Sequence, residues 1–346
     1  MKVLVGLSGG LDSAYAALKL KREGHTVEGA VLVMHEFTET DAARKVADLL
    51  EIPLHVIDCT ELFEQRVKSY FAKEYSLGRT PNPCVLCNRE VKIKGLYEYA
   101  LANGFDRIAS GHYSSIARTR DGATERTVLK RCSDLSKDQT YMLCMLESEI
   151  LDKFLLPLSD LTKEEIREEV KKIGLSVLDR EESQEICFLP QDDYPSFVEE
   201  RMGKFPEGDF VLEDGTVLGR HKGIINYTVG QRKGLGISYS SRLFVTRIDP
   251  VSNKIILSDT PAGAKVIKLS GVNLFLSEQG EECFTVNLSL QHRYRAGLTE
   301  VKATFFADGT ATLYSDEPIF SVTPGQAAAL YKDDMLFCGG YIVSAD

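Results

Sequence analysis

The sequence predicts an α/β protein with an N-terminal doubly wound parallel sheet, a small central mixed domain and a C-terminal β-barrel. Three features carry that prediction. The opening KVLVGL (Lys2 to Leu7) is a short β-branched and apolar run that breaks into SGGLDS, then into helix-compatible spacing up to Gly24. Strand-like runs next alternate with amphipathic stretches, as parallel strands joined by helical crossovers do. From about Lys204 to Asp214 long helices give way to short strands separated by glycines, and from about Val266 the pattern alternates with period two. A chain of 346 residues is long for one core, so boundaries are set at 1–200, 201–265 and 266–346.

With 43% hydrophobic and 27% charged residues the chain reads as an ordinary globular protein. No apolar run reaches the ~18 residues a membrane helix needs, so no membrane partner is expected. MKVLVGLSGG breaks at glycines rather than at a small-residue cleavage site, and the expected location is cytoplasmic. In that reducing setting the eight cysteines are not a structural disulfide framework. Cys59, Cys132, Cys144, Cys283 and Cys338 sit singly among apolar or strand-like residues and read as small buried hydrophobes. Cys84, Cys87 and Cys187 stand apart in polar, loop-like settings. The net charge of −10 argues against indiscriminate nucleic-acid binding but leaves room for a local basic face.

SGGLDS (Ser8 to Ser13) follows a strand and opens a helix, so successive backbone N–H groups and the positive end of the helix dipole converge on one anion site. Gly9 and Gly10 let backbone approach a phosphate, and Ser8 and Ser13 supply hydroxyls. The loop lacks the GK[ST] lysine of a Walker motif and the glycine spacing of the dinucleotide fingerprint. It resembles instead the PP-loop of ATP pyrophosphatases, which split ATP between its α and β phosphates and adenylate a substrate carbonyl oxygen. TVEGAVLVM and LHVID then read as buried strands around the helix DAARKVADLLE, which places Met34 at a ligand-facing strand end, where it can pack on an adenine ring.

In PNPCVLCNRE (Pro81 to Glu90), Pro81 and Pro83 disfavour helix before Cys84. Asn88 is the expected N-cap, with REVKIKGLYEYALANG a helix closed by Gly104. Cys87 would then sit at a helix N-terminus, which lowers a thiol from its usual pKa of about 8.5. Zinc would need a second ligand pair, and His112 and His221 are isolated. A thioredoxin-like dithiol would occupy the strand-to-helix turn already taken by SGG. ATP activation beside reactive thiols suggests sulfur insertion.

SGGLDS, TPNPCVLCNREVKIKGL, SGHYSSIAR, LSKDQTYML, ESQEICFLP and YTVGQRKGLGI occur in this order across nearly the whole chain. Together they resemble the tRNA-specific 2-thiouridylases of the MnmA type. The resemblance implies ATP with Mg2+ held by Gly6, Leu7, Ser8, Gly9, Gly10, Leu11, Asp12, Ser13, Met34 and Gly111. It implies adenylation of the 2-carbonyl oxygen of the wobble uridine in the tRNAs for Lys, Glu and Gln. It makes Cys87 a nucleophile and Cys187 the carrier of a persulfide from a sulfur-relay protein, with a disulfide between them to be reduced afterwards. It assigns tRNA contacts to Asn82, Pro83, Cys84, His112, Lys137, Asp138, Gln139, Arg293, Tyr294 and Gln326.

One departure stands out: the family loop reads N-P-D-x-x-C-N, with an aspartate assigned to the target base where this chain has Cys84. A C-x-x-C pair plus a distant cysteine is instead the pattern of related PP-loop thiolases holding a 4Fe–4S cluster that binds sulfide. Cys84, Cys87 and Cys187 would be its ligands here. Two further readings stay open: a PP-loop amide-forming ligase with structural cysteines, and a non-catalytic RNA-binding protein.

Taken alone, His112 in SGHY is a loop histidine, and LSKDQTYML an exposed helix start with Lys137 neutralising phosphate, Asp138 as cap and Gln139 donating to a nucleotide. TKEEIREEVKKIG, with its capping box at Thr162 and Glu165 and a stop at Gly174, is assigned no chemistry. Gly219 to Arg247 carries Arg220, Lys222, Arg232, Lys233, Arg242 and Arg247 without one acid, which suggests a phosphate-facing surface. In the all-β part Asp308–Gly309 is a hairpin signal, and six or so short strands suggest a small closed barrel. Arg293, Tyr294 and Arg295 match the family's tRNA-touching stretch, and Gln326 a residue near the flipped-out base.

Overall fold

A computed structural model describes residues 1–121, 124–172, 186–189, 193–276 and 283–346. Of the ESQEICFLP segment only Ile186 to Leu189 are described, and Gly174 lies outside the described residues.

The N-terminal sheet is built from β1 (Lys2–Gly6), β2 (Thr26–Val33), β3 (Leu54–Asp58) and β4 (Arg107–Ala109). The hairpin β5 (Ser115–Asp121) and β6 (Thr124–Lys130) follows, then the two-residue β7 (Phe154–Leu155). The five sheet strands run parallel in the order β3-β2-β1-β4-β7. Strand order reverses beside β1, so the crevice at the carboxyl ends of β1 and β4 is where this topology places a ligand.

Both faces are covered, as a parallel sheet requires. Val3 and Val5 of β1 face one cluster with Leu11 and Ala14 of α1 (Leu11–Arg22), Val46 of α2 (Thr40–Leu50), and Ile166 and Val170. Leu4 faces the other, with Leu32, Ile93, Leu96 and Ile108.

The central unit is a mixed four-stranded sheet of β8 (Gly208–Leu212), β9 (Val217–His221), β10 (Phe244–Asp249) and β11 (Lys254–Ser258), in the order β10-β11-β8-β9. The remaining strands are β12 (Gly263–Leu274), β13 (Cys283–Gln291), β14 (Thr299–Phe306), β15 (Ala311–Phe320), β16 (Ala327–Lys332) and β17 (Met335–Ala345). They run β12-β15-β14-β13-β16-β17, and β17 pairs back to β12, closing a six-stranded barrel. The β14–β15 turn is the expected one: Gly309 has φ 78°, and Asp308 Oδ1 accepts from the Thr310 N–H at 3.0 Å.

The barrel is not a free appendage. The hairpin β5–β6 extends its sheet through Met335 opposite Lys130. Thr80 N–H donates to Pro324 O at 2.9 Å, Gln326 Nε2 to Thr80 O at 2.7 Å, and the buried Tyr141 hydroxyl to Ala327 O at 2.9 Å. A Cβ at Gly339 would stand 2.2 Å from Cys144 O, so barrel backbone presses directly on the N-terminal domain. Cys283 departs from expectation: it opens β13 on the outside and is exposed.

Candidate active site

The first half of the site is the loop between β1 and α1. Gly9 has φ 79°, and a Cβ there would stand 2.4 Å from Ala42 Cβ, so only glycine fits. Ser8 N–H donates to Ser13 Oγ at 3.1 Å, and Ser13 Oγ donates to Gly10 O at 3.0 Å, which fixes the curl of the loop. Gly111, after β4, abuts the same turn, since its Cβ would be 2.7 Å from Asp12 C and Ser13 N. Asp12 accepts from the Tyr113 hydroxyl at 2.7 Å and from Lys163 Nζ at 2.6 Å on each oxygen. A cavity of about 580 Å³ opens here, lined by Gly6, Leu7, Ser8, Asp12, Ser13, Met34 and Gly111 among others. Gly9, Gly10 and Leu11 belong to the turn without lining it.

The second half is the thiol loop, where the expected helix start is corrected. Asn82, not Asn88, is the N-cap: its Oδ1 accepts from Cys84 N–H at 3.1 Å and Val85 N–H at 3.4 Å, with Pro83 in the first turn. Helix then runs through Pro83–Cys87, a π-turn segment Asn88–Lys92, and Ile93–Ala102. Asn88 instead donates its side-chain amide to Met142 O at 3.0 Å. Cys84, rather than Cys87, is therefore the thiol at the helix N-terminus.

Cys87 is buried one turn further in, 3.7 Å from Met34 Sδ. Burial pushes its thiol up to about 12, against the pull of the Lys92 cation. The expectation of a lowered pKa fails because Cys87 does not sit at the helix N-terminus and its lost solvation outweighs the Lys92 charge. Cys84 and Cys187 are exposed along the same walls; burial also pushes them up, and Lys92 again opposes it.

Cys187 is anchored by its neighbour. Phe188 is buried with its ring centroid 5.5 Å from Phe63, 5.4 Å from Phe71 and 5.3 Å from Phe197. This brings Cys187 to a cleft of about 670 Å³ that also holds Asn82, Pro83, Cys84, Cys87, Arg293, Tyr294 and Gln326. The two cysteines that lie 100 residues apart in sequence thus share one cleft. No three His, Cys, Asp or Glu side chains among the described residues are placed to hold one metal ion. Cys84, Cys87 and Cys187 all line this one cleft.

Four residues line both cavities: Lys92, His112, Gln139 and Cys187. His112 Nδ1 is 2.8 Å from Ser110 Oγ, and burial together with the Lys92 charge pushes its pKa down to about 3, so the ring is neutral. Gln139 is fixed by a reciprocal pair: it donates from its backbone to Tyr113 O at 2.7 Å, and its Oε1 accepts from Tyr113 N–H at 2.9 Å. Lys92 keeps its proton more tightly than usual: burial works against the charge, but the three facing thiols outweigh it. Sequence reasoning missed Lys92. The π-turn is what brings a residue five positions after Cys87 onto nearly the same helix face.

Other sequence expectations shift in detail. Asp138 does not cap: it is buried, and its Oδ1 accepts from Cys132 N–H at 3.0 Å and the Thr140 hydroxyl at 2.8 Å. Lys137, Tyr294 and Arg295 line a smaller neighbouring cavity of about 260 Å³. Gln326 spends its amide N–H on Thr80 O. The capping box at Thr162 and Glu165 is present, but the helix it opens is not chemically silent, because Lys163 reaches Asp12. Of the basic stretch, Arg220 is paired with Asp209 at 2.9 Å, while Arg232 and Arg242 line a cavity of about 360 Å³ with Tyr239.

A phosphate cradle opening into a thiol cleft defines a nucleotide-binding α/β enzyme with candidate sulfur chemistry. Family models agree in order along the chain. Residues 1–191 match a "tRNA methyl transferase HUP domain", 195–259 a "tRNA methyl transferase PRC-barrel domain" and 265–342 an "aminomethyltransferase beta-barrel domain". The tRNA-specific 2-thiouridylase MnmA of Acetivibrio thermocellus is 39% identical, covering 99% of each chain. That of Lachnoclostridium phytofermentans is 38% identical with the same coverage, and that of Clostridioides difficile 36% over 99% of this chain and 98% of its own. The chain belongs to the tRNA-specific 2-thiouridylase family.

Proposed function

We propose that this protein is an ATP-dependent tRNA sulfurtransferase that exchanges the 2-oxygen of the wobble uridine for sulfur. The observation that carries the reading is the junction: Lys92, His112, Gln139 and Cys187 belong to the nucleotide cavity and the thiol cleft at once. An activated oxygen formed in one can be attacked from the other without release.

The uridine O2 attacks the α-phosphorus of ATP, pyrophosphate leaves toward the Ser8–Ser13 turn, and the base gives up its N3 proton. Adenylation turns a poor leaving oxygen into a good one. The terminal sulfur of a Cys187 persulfide then attacks C2 and expels AMP, leaving a Cys187–S–S–C2 link. Cys87, as thiolate, attacks the Cys187 sulfur; the thiocarbonyl leaves, and a Cys87–Cys187 disulfide remains for an external thiol to reduce. Mg2+ would meet Glu39, an acid that lines the nucleotide cavity, and would offset phosphate charge. Arg293, Tyr294 and Arg295, which line the barrel side of the cleft, would receive the anticodon loop. The tRNAs for Lys, Glu and Gln are the substrates to test first, with a persulfide-loaded relay protein or sulfide as donor.

The test supplies tRNA, ATP and a persulfide donor and follows 2-thiouridine and pyrophosphate. Cys187→Ser and Cys87→Ser should each abolish thiolation. Thiolation that survives Cys187→Ser refutes the route. Normal ATP cleavage with no thiolation in the wild type would favour an amide-forming ligase, and binding of tRNA without pyrophosphate release a non-catalytic binder.

A further inference from the structure

The phosphate cradle lacks the lysine that a Walker loop carries within its own sequence. We infer that Lys163, delivered from a helix 150 residues further along, is the positioning residue of this cradle: it neutralises and aims Asp12 so that a polyphosphate can bind. The inference rests on the reading of this cavity as the ATP site.

Lys163 begins the helix Lys163–Lys172, inside the capping box and directly after Thr162. Thr162 Oγ1 accepts from Glu165 N–H at 3.2 Å and Glu165 Oε2 accepts from Thr162 N–H at 2.7 Å, so the first turn has one geometry. Side chains in a helix point back toward its N-terminus. That direction sends Lys163 toward α1, where Nζ lies 2.6 Å from both Asp12 oxygens. At the other end of the two helices Arg22 meets Glu169 at 3.4 Å. N-terminal residues pair with each other and so do residues further along, so the helices run parallel. Their positive dipole ends lie side by side at the cradle.

The exposure of the pair is lopsided. The Lys163 side chain is 4% exposed and does not line the nucleotide cavity, whereas Asp12 is 25% exposed and does. Lys163 therefore touches a nucleotide only through Asp12. Without its cation, a carboxylate that accepts from the Tyr113 hydroxyl would face the phosphates uncompensated by Lys163, and like charges at this range repel strongly when partly desolvated.

The experiment measures ATP, pyrophosphate and AMP binding to the full-length protein, with Tm alongside. Lys163→Gln should weaken ATP and pyrophosphate roughly 10–100-fold while AMP, with less charge at the cradle, changes by no more than about threefold. Lys163→Arg should restore most of the ATP affinity. Should Lys163→Gln not fold, Lys163→Met, which fills the same buried channel without charge, repeats the measurement. Equal weakening of ATP and AMP with a fall in Tm would make the lysine merely structural and overturn the inference; so would unchanged affinities. Wild-type protein that binds neither ATP nor pyrophosphate would sink the nucleotide reading itself.

Discussion

Iodoacetamide should find Cys87 nearly inert at neutral pH. A free thiol with a pKa of about 8.5 is ~10% thiolate at pH 7.5. With its pKa pushed up to about 12, Cys87 would be thiolate in roughly 3 molecules per 100,000, about 3,000-fold less. Because the thiolate is the nucleophile, alkylation should slow at least ~10³-fold relative to free cysteine, before counting steric cover from the helix and Met34. The assay is timed alkylation read by mass spectrometry from pH 7 to 10. The rate at Cys87 should climb about tenfold per pH unit with no plateau. Lys92→Met should slow it further, because the cation is what opposes burial. Labelling at the rate of free cysteine, or a plateau below pH 9, would refute the assignment. If it holds, Cys87 cannot attack first, and its proton must be drawn off once substrate fills the cleft.

Further expectations can be checked on the same protein. Gly111→Ala drives a methyl to 2.7 Å from Asp12 and Ser13 backbone, so pyrophosphate release should fall at least ~10-fold at a stability cost of about 1–3 kcal/mol. Asn82→Ala removes the cap under Cys84 and should cost ~1 kcal/mol in urea unfolding, with thiolation impaired beyond that. His112, pushed down to about 3 by burial and Lys92, should show no imidazole titration between pH 5 and 8 by NMR; a midpoint near 6.5 would disprove its neutral burial. Burial raises Cys87, Cys132 and Cys144 to about 12 each. The unfolded chain releases those protons first, so stability is intact below pH ~8.5 and falls by about 1.4 kcal/mol per pH unit per thiol above it. A flat urea midpoint between pH 8.5 and 10 would contradict this.

What the sequence revealed follows the range of the interactions. The β1–α1 turn is local, and its strand, glycines and helix start were readable from a dozen residues. The closing hairpin at Asp308–Gly309 was readable for the same reason. The thiol loop offers two caps in sequence: Asn82–Pro83 is an N-cap followed by a first-turn proline, and Asn88, ahead of a longer periodic stretch, competes with it. The rise in the Cys87 pKa was hidden because desolvation comes from residues distant in sequence. Lys92 and Lys163 look like ordinary charges of amphipathic helices. One acquires meaning from a π-turn, the other from packing against α1, and neither is written in local spacing. Cys283 is exposed, and a strand-like setting does not say which face looks outward.

The bonds from Thr80 to Pro324 and Gln326, and from Tyr141 to Ala327, bear on how the molecule can be cut or pulled. A chain ended before the barrel would not be a smaller edition of the enzyme. It would strand a buried phenol without its acceptor, and the reaction vessel would lose a wall. Conversely, a nucleic acid seated on the barrel would press on the segment that leads into Cys84 through the bonds at Thr80.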